Sequence, residues 1–237
     1  MEKIVGAVGH KRIPRAKSDN EQQAWQHGQL LCGVDEVGRG CLAGPVVVAA
    51  VVLYPDAIFD LLKDSKLLDV KQRVRAARWI HEHSWHAYGV ASNREIDHLN
   101  IYRATQCAMK RAIAHVCTCV PHLPAKIIID AMPISFGFGA LAHIPVEYFA
   151  RAEQQSISVA AASILAKVKR DALMNEFDSI FPGYALAQHK GYATAQHCQS
   201  VTRLGSSIIH REGFVKTVFD HYEKAYGRQI DLFCGSY

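Results

Sequence analysis

Leu30-Leu31-Cys32-Gly33-Val34-Asp35-Glu36-Val37, then Gly38-Arg39-Gly40-Cys41-Leu42-Ala43-Gly44, then Pro45-Val46-Val47-Val48-Ala49-Ala50-Val51-Val52-Leu53-Tyr54 is the stretch that decides the fold. Leu30 to Val37 has the length and apolar character of a buried strand, and Pro45 to Tyr54 reads as a second, Val-rich strand. The glycines between them mark a turn, so the pair forms a hairpin. Asp35 and Glu36 interrupt the first apolar run. An unpaired carboxylate costs several kcal/mol to bury, so something cationic belongs beside them.

Outward from the hairpin, Asp69 stands where an N-cap belongs, and Val70, Val74, Ala77 and Ile80 follow at helical spacing to about His83. Trp85 to Ala91 reads as a strand. Ser92, with Glu95 three residues on, opens a helix that Ile96, Leu99, Tyr102 or Arg103, Ala108 and Ile113 carry to Cys117. Ile127-Ile128-Ile129-Asp130 is an apolar strand ending in a carboxylate. Ser156 to Asp178 is a further helix, with Ile157, Ala161, Ile164, Leu165 and Val168 on one face and Lys167, Lys169 and Arg170 outside it. A shorter helix runs from Thr194 to Leu204. Strands alternating with helices of this length predict an α/β fold with a mainly parallel sheet beyond the opening hairpin.

The 237 residues are 49% hydrophobic and 21% charged, a globular composition that excludes a disordered tail or a collagen-like fibre. Lys and Arg (27) exceed Asp and Glu (22) by five, a mild attraction for polyanions. The longest apolar run, Pro45 to Pro55, is far short of the roughly 18 to 20 residues of a membrane span. Ile4 to Val8 is too short for a secretory signal, so the expected location is the cytoplasm, and the expected state is a monomer. None of the seven cysteines forms a C-x-x-C pair, and reduced thiols are expected. His81-Glu82-His83 lacks the spacing of a helical zinc site and reads as a solvated helix end.

Asp35, Glu36 and Asp130 lie at two strand ends, where ligands of open α/β sheets bind, and Glu153 arrives just before a helix. An all-oxygen set of this kind suits hard divalent ions such as Mg²⁺ or Mn²⁺. Salt bridges to Arg39, Lys66 or Arg151 are the alternative that spacing alone leaves open.

Gly33-Val34-Asp35-Glu36-Val37-Gly38-Arg39-Gly40 followed by Leu42-Ala43-Gly44-Pro45 resembles the opening signature of bacterial ribonuclease HII. Asp64-Ser65-Lys66, Glu95-Ile96-Asp97 with Leu99-Asn100-Ile101, Ile129-Asp130, Ala160 to Val168 with Arg170-Asp171, His189-Lys190-Gly191-Tyr192 and Ile209-His210-Arg211 match that family in the same order. Together they cover residues 30 to 216. The resemblance implies a ribonuclease H-like fold, a mixed central sheet flanked by helices with a small C-terminal helical region. It also implies an endonuclease using two metal ions, Mn²⁺ or Mg²⁺, that cuts 5′ to ribonucleotides in RNA/DNA hybrids and at single ribonucleotides in duplex DNA.

By position, Asp35, Glu36, Asp130 and Glu153 are the implied catalytic and metal-binding carboxylates. Gly38 and Gly40 would let the backbone approach the nucleic acid, Arg39, Lys66 and Lys190 would face it, and Tyr192 would stack on the sugar beside the ribonucleotide. Glu153 departs from the family, which most often has Asp there, after Lys-Gly rather than Arg151-Ala152; the longer arm could favour Mn²⁺. Asp171 reads as an ion-pair partner of Lys167, and His189, His210 and Arg211 as either phosphate contacts or structural hydrogen-bonders.

The expected organisation is a flexible N-terminal extension over 1–29, a catalytic domain over 30–216, and a helix end and tail over 217–237. In that tail Gln229-Ile230-Asp231-Leu232-Phe233 resembles the peptide motif that docks bacterial replication and repair proteins on the sliding clamp, with folding back onto the last helix as the alternative. A catalytically inert binding module on the same fold is a second functional reading. It would gain nothing from a costly acidic cluster that repels phosphate. A ribonuclease HIII-like enzyme is the third, and its extra N-terminal domain does not fit in the residues before Leu30.

Overall fold

Leu31–Val37 (β1) and Val46–Leu53 (β2) pair antiparallel, with Gly33 opposite Val51 and Val37 opposite Val47, so the hairpin is present. The computed structural model describes residues 15–137 and 139–226. Ser84–Ala91 (β3) continues antiparallel on the outer side of β2, while Lys126–Asp130 (β4) and Val146–Phe149 (β5) run parallel to β1. The order is β3-β2-β1-β4-β5, a mixed sheet.

This sheet is less parallel than the alternation of elements suggests, because helix Val70–Glu82 (α2) returns the chain to the end of β2 that it left, and Ser84 pairs with Leu53. The expected β1 and β2 match to within a residue. β5 was not foreseen: its Glu147 and Tyr148 are exposed, and no apolar run marks it.

Every residue of β2 is buried because helices cover both faces of the sheet. Val46, Val48, Ala50 and Val52 join Val34, Ile127 and Ile129 against the alanine and methionine face of helix Ile101–Cys119 (α4). Ala49, Val51 and Leu53 face helix Ile157–Ile180 (α6) and α2. α6 comes so close to β1 that a Cβ on Gly33 would lie 2.2 Å from the Ser158 carbonyl carbon. Glycine is required there by packing, not by backbone angle.

Helix caps follow the sequence. Asp69 and Gln72 form a reciprocal capping box on α2, and Ser92 and Glu95 form another on helix Asn93–Leu99 (α3). The single helix expected from Ser92 to Cys117 is two helices. Asn100 takes φ 67°, ends α3, and caps α4 by accepting from the backbone N–H groups of Tyr102 and Arg103. Asn tolerates this left-handed φ better than most residues.

Order also begins earlier than Leu30. Asp19–Gln26 is a helix (α1), and Ala16 and Glu21 are buried. Glu21 Oε1 accepts from Ser156 Oγ at 2.5 Å and from Ser158 N at 3.0 Å, so this carboxylate caps α6 across the chain. Polar composition hid the helix, since its purpose is to satisfy another helix's N–H groups rather than to bury an apolar stripe.

The C-terminal region comprises Leu186–His189 (α7), Ala195–Leu204 (α8) and Glu212–Tyr226 (α9), with α5 (Ala152–Gln155) preceding α6. Met174, Tyr184, Leu186, Val201 and Ile209 form its own small core against Ala43. Asp97 of α3 accepts from Glu212 N and Gly213 N, anchoring the start of α9. A boundary at residue 216 therefore falls inside a helix. The tail motif Gln229 to Phe233 lies outside the described residues.

Arg170 and Arg211 join this region to the glycine-rich turn. Both are fully buried, so Arg170 does not lie outside the packed face of α6 as its charge suggested, and Arg211 is structural. Arg170 donates to the carbonyls of Pro45 (2.9 Å), Lys190 (2.8 Å) and Ala43 (3.2 Å). Arg211 donates to those of Gly38 (2.7 Å), Arg39 (2.7 Å) and Gly44 (3.0 and 2.8 Å). Burial lowers the Arg211 pKa to about 10, still protonated at neutral pH. Gly38, at φ 96°, leaves room for this packing, since a Cβ there would meet Arg170 Nε at 2.1 Å.

The six described cysteines are free, and no described helix is long and apolar enough to cross a membrane. Glu21→Ala removes a buried capping carboxylate, so it should destabilise the protein by about 2 kcal/mol in chemical denaturation, whereas Asp19→Ala should change stability little.

Candidate active site

Side chains alternate across a strand, so Asp35 points to the same face as Gly33, the face covered by α6. Asp130 has the parity of Ile128, which packs with Val159 of α6. β1 and β4 are parallel neighbours with Val34 opposite Ile129, so the next residue on each strand, Asp35 and Asp130, meet at the strand ends on one face. Glu36 has the opposite parity and sits at the rim.

One hydrogen bond orients Asp35, its Oδ1 accepting from Glu36 N at 2.7 Å, and the Ser163 hydroxyl of α6 lies close enough to favour its charged form. Ser163 in turn meets Ser65 Oγ at 2.9 Å. Neither serine was a candidate from sequence, although a lone hydroxyl in the apolar stretch Ala160-Ala161-Ala162-Ser163-Ile164 was a signal for one.

Asp130 Oδ1 accepts from Ala152 N at 3.0 Å. Arg151, at φ 61°, turns the chain so that α5 begins there, and this brings Glu153 beside Asp130. Glu153 is also within reach of the charges of Asp64 and Lys66. Asp64 caps the short turn Ser65–Leu67 by accepting from Lys66 N. Lys66 thus stands at the site's edge.

The electrostatics are those of a cluster short of positive charge. Burial, then the charges of Glu36 and Asp130, push the Asp35 carboxyl well above the usual range. Burial raises Glu36 despite Arg39, whose Nη1 lies 3.3 Å from Glu36 Oε1. Burial and Asp130 raise Glu153. Glu36 Oε2 and Glu153 Oε2 are buried without a hydrogen-bond partner. Among the described residues no three such side chains close around one point, because Glu36 is turned to Arg39 and Asp130 to Ala152 N.

Hard oxygen donors, two of them orphaned in a buried cluster that repels itself, fit divalent cations. Arg39 alone does not meet that need, since only Glu36 pairs with it.

The remaining candidates lie on the rim formed by the glycine-rich turn and the Lys190–Tyr192 turn, which meet through the isolated bridge Cys41 to Tyr192. Tyr192 is 41% exposed, over the Arg170 guanidinium at 5.9 Å. Gly40 is exposed, lacks a positive φ, and an added Cβ would meet nothing within 4 Å. Lys190 lies on the same rim, where its ammonium bonds Asn175 Oδ1 and the Ala187 carbonyl. Asp171 pairs with Lys167 at 2.7 Å, apart from the cluster.

Comparison with known proteins agrees with this architecture. The family model described as Ribonuclease HII matches residues 32–221. The chain is 41% identical over 213 residues to Ribonuclease HII of Levilactobacillus brevis, covering 90% of this chain and 79% of that protein. It is 40% identical over 200 residues to Ribonuclease HII of Thermus thermophilus, covering 84% and 93%.

Two solved structures share the fold. One is the PCNA:RNase HII complex from Archaeoglobus fulgidus, with TM-score 0.65 and 24% identity over 79% of this chain and 94% of that one. The other is Bst-RNase HIII in complex with Mn²⁺, with TM-score 0.64 and 22% identity over 83% and 71%. With β1 and β4 presenting acidic residues at the core of the matched segment, this chain belongs to the ribonuclease HII family and is a metal-dependent endoribonuclease of RNA/DNA hybrids.

Proposed function

We propose that this chain hydrolyses the phosphodiester on the 5′ side of ribonucleotides, including a single ribonucleotide embedded in duplex DNA, and leaves a 3′-hydroxyl and a 5′-phosphate. Asp35, Glu36, Asp130 and Glu153 would hold two divalent ions, Mn²⁺ or Mg²⁺. The observation that carries this reading is the buried, self-repelling carboxylate cluster with unpartnered oxygens on Glu36 and Glu153. Ions bound there supply activation of water and relief of charge on the departing oxygen.

The chain's own part is orientation. Glu36 N fixes Asp35 and Ala152 N fixes Asp130, so these two carboxylates are held before substrate arrives. The Gly38 to Gly40 turn, Arg39 and Tyr192 would contact the strand at the ribonucleotide, with Lys66 near the scissile side. Lys190 would help through its backbone turn, its ammonium being held by Asn175.

A duplex with one ribonucleotide should be nicked in Mg²⁺ or Mn²⁺ and an all-DNA duplex left intact. Equal cutting of both, or activity that survives EDTA, would overturn the reading. The absence of a membrane-crossing helix among the described residues and a DNA substrate support a cytoplasmic enzyme. Docking of Gln229 to Phe233 on a sliding clamp is supported by that motif and by the PCNA complex of the archaeal relative. Loss of clamp binding in a Leu232→Ala, Phe233→Ala variant of unchanged stability tests it.

Glu153→Asp should keep activity, while Glu153→Gln should lose at least about tenfold in kcat, because the amide offers no charge to offset an ion. Equal activity of Gln and Glu across a metal titration would remove Glu153 from the site. Gly40→Ala should leave the melting temperature unchanged, as its methyl meets nothing in the chain, yet raise KM for the ribonucleotide-containing duplex. An unchanged KM would separate Gly40 from substrate.

A further inference from the structure

His189, His197 and His210 are 8%, 0% and 2% exposed, and they pack together directly beneath the Lys190–Tyr192 turn. The rings of His189 and His197 stack at 4.2 Å, and those of His197 and His210 lie 5.2 Å apart. Their hydrogen-bond partners determine where each proton sits. Gly191 N–H donates to His189 Nδ1 at 3.2 Å, so the proton of that ring is on Nε2, which donates to the Tyr184 carbonyl at 2.8 Å. The Tyr192 carbonyl can only accept, so His197 Nδ1 donates to it at 2.9 Å and His197 Nε2 is left as an acceptor. His210 Nδ1 accepts from Ser207 N at 3.0 Å, so its Nε2 donates to His197 Nε2 at 3.1 Å.

One neutral tautomer per ring satisfies every partner. A proton added to His189 Nδ1 would face Gly191 N–H. One added to His197 Nε2 would face the N–H of His210 unless His210 turned its own proton to Nδ1, where Ser207 N–H opposes it at 3.0 Å and the Ser207 hydroxyl, at 2.8 Å, is the acceptor.

We propose that His197 is a positioning residue for substrate discrimination: backed by His210 and stacked on His189, it holds the Tyr192 carbonyl so that the tyrosine ring is presented to the sugar beside the ribonucleotide. This rests on the reading of Tyr192 given above. The stack holds the turn at both peptide groups, His189 at Gly191 N and His197 at Tyr192 O, while Arg170 holds the Lys190 carbonyl. Nothing in this arrangement touches the metal-site carboxylates, so it acts on recognition rather than on the chemical step.

Burial lowers all three imidazoles, His197 to about 4 from the ordinary 6.5. Asp178 of α6 favours a proton on His189, and Lys190 opposes it. The charges acting on His197 and His210 are those of the neighbouring imidazoles, and Tyr184, whose hydroxyl is given to the Gly205 carbonyl, flanks His210. The unfolded chain therefore takes up protons that the folded stack refuses. The stack's contribution to stability is complete above about 6.5 and is lost progressively as pH falls towards about 4.

The test measures kcat and KM on a single-ribonucleotide duplex and on a continuous hybrid for wild type, Tyr192→Ala, His197→Phe, His197→Asn, and the double variant Tyr192→Ala with His197→Phe. The ratio of kcat/KM on the two substrates cancels titration of the carboxylates common to both reactions. His197→Phe keeps the stacking and loses the donor, so the ratio should fall on the order of tenfold, through KM more than kcat. His197→Asn, whose amide can donate to the Tyr192 carbonyl, should recover part of it. The double variant should be no worse than Tyr192→Ala.

A wild-type ratio in His197→Phe, or losses that multiply in the double variant, overturns the inference while leaving the Tyr192 reading standing. A wild-type ratio in Tyr192→Ala overturns both. If His197→Phe does not fold, the pH series decides: the wild-type ratio should hold from neutral pH to about 5 and decline as pH approaches about 4, while that of Tyr192→Ala stays flat, and a wild-type profile flat down to about 4 overturns the proposal.

Discussion

Two buried guanidiniums hold the molecule's working surface together. Arg170 comes from α6, which packs on the sheet, and Arg211 from the start of α9 in the C-terminal region; both donate into the backbone of the turn between β1 and β2. A buried charge is costly unless its donors are met, and here backbone carbonyls meet them. The turn cannot move without stranding those donors, and neither region can shift without the other. Gly38 and Gly44 follow from this constraint, as side chains there would occupy the space of Arg170 and Met174.

The carboxylate cluster a few residues away is the electrical opposite. Strand β1 delivers Asp35 into the interior and Glu36 to its rim, and then immediately enters the turn that the arginines grip. The chain thus provides positive charge beneath the turn and spends it on carbonyls. The carboxylates have only Arg39, attached to one of them at the rim. That division leaves Asp35, Glu36 and Glu153 with raised proton affinity and a standing demand for an external cation. Glu36 N and Ala152 N orient Asp35 and Asp130 without neutralising them, so both are held in place while the charge remains unmet.

The helices show where local sequence signals suffice and where they stop. Asp69 and Ser92 announced their helices because a cap is a local bargain between a side chain and N–H groups two or three residues on. Asn100 was invisible as a break, since apolar spacing continues across it from Ile96 and Leu99 to Ala108. α1 was invisible for a different reason: Glu21 caps a helix that begins well over a hundred residues later, and its own segment buries little apolar surface. Arg170 looked like a solvent-facing residue because charge in a sequence is read as exposure, and only packing shows that its donors are already taken.

By itself the sequence determined the β1–β2 hairpin, the α/β class and the family resemblance, and singled out four candidate carboxylates, because apolar periodicity, turn glycines and ordered short motifs are properties of neighbouring residues. Tertiary structure alone decided that Asp35 and Asp130 share a face, that Glu153 is brought to Asp130 by a left-handed Arg151, and that Ser163 of α6 comes to the side of Asp35. It also decided that three histidines scattered from 189 to 210 become one neutral stack. Each of those outcomes depends on strand register, helix approach or burial, which are set by residues far apart in the chain and so leave no mark on any one stretch of it.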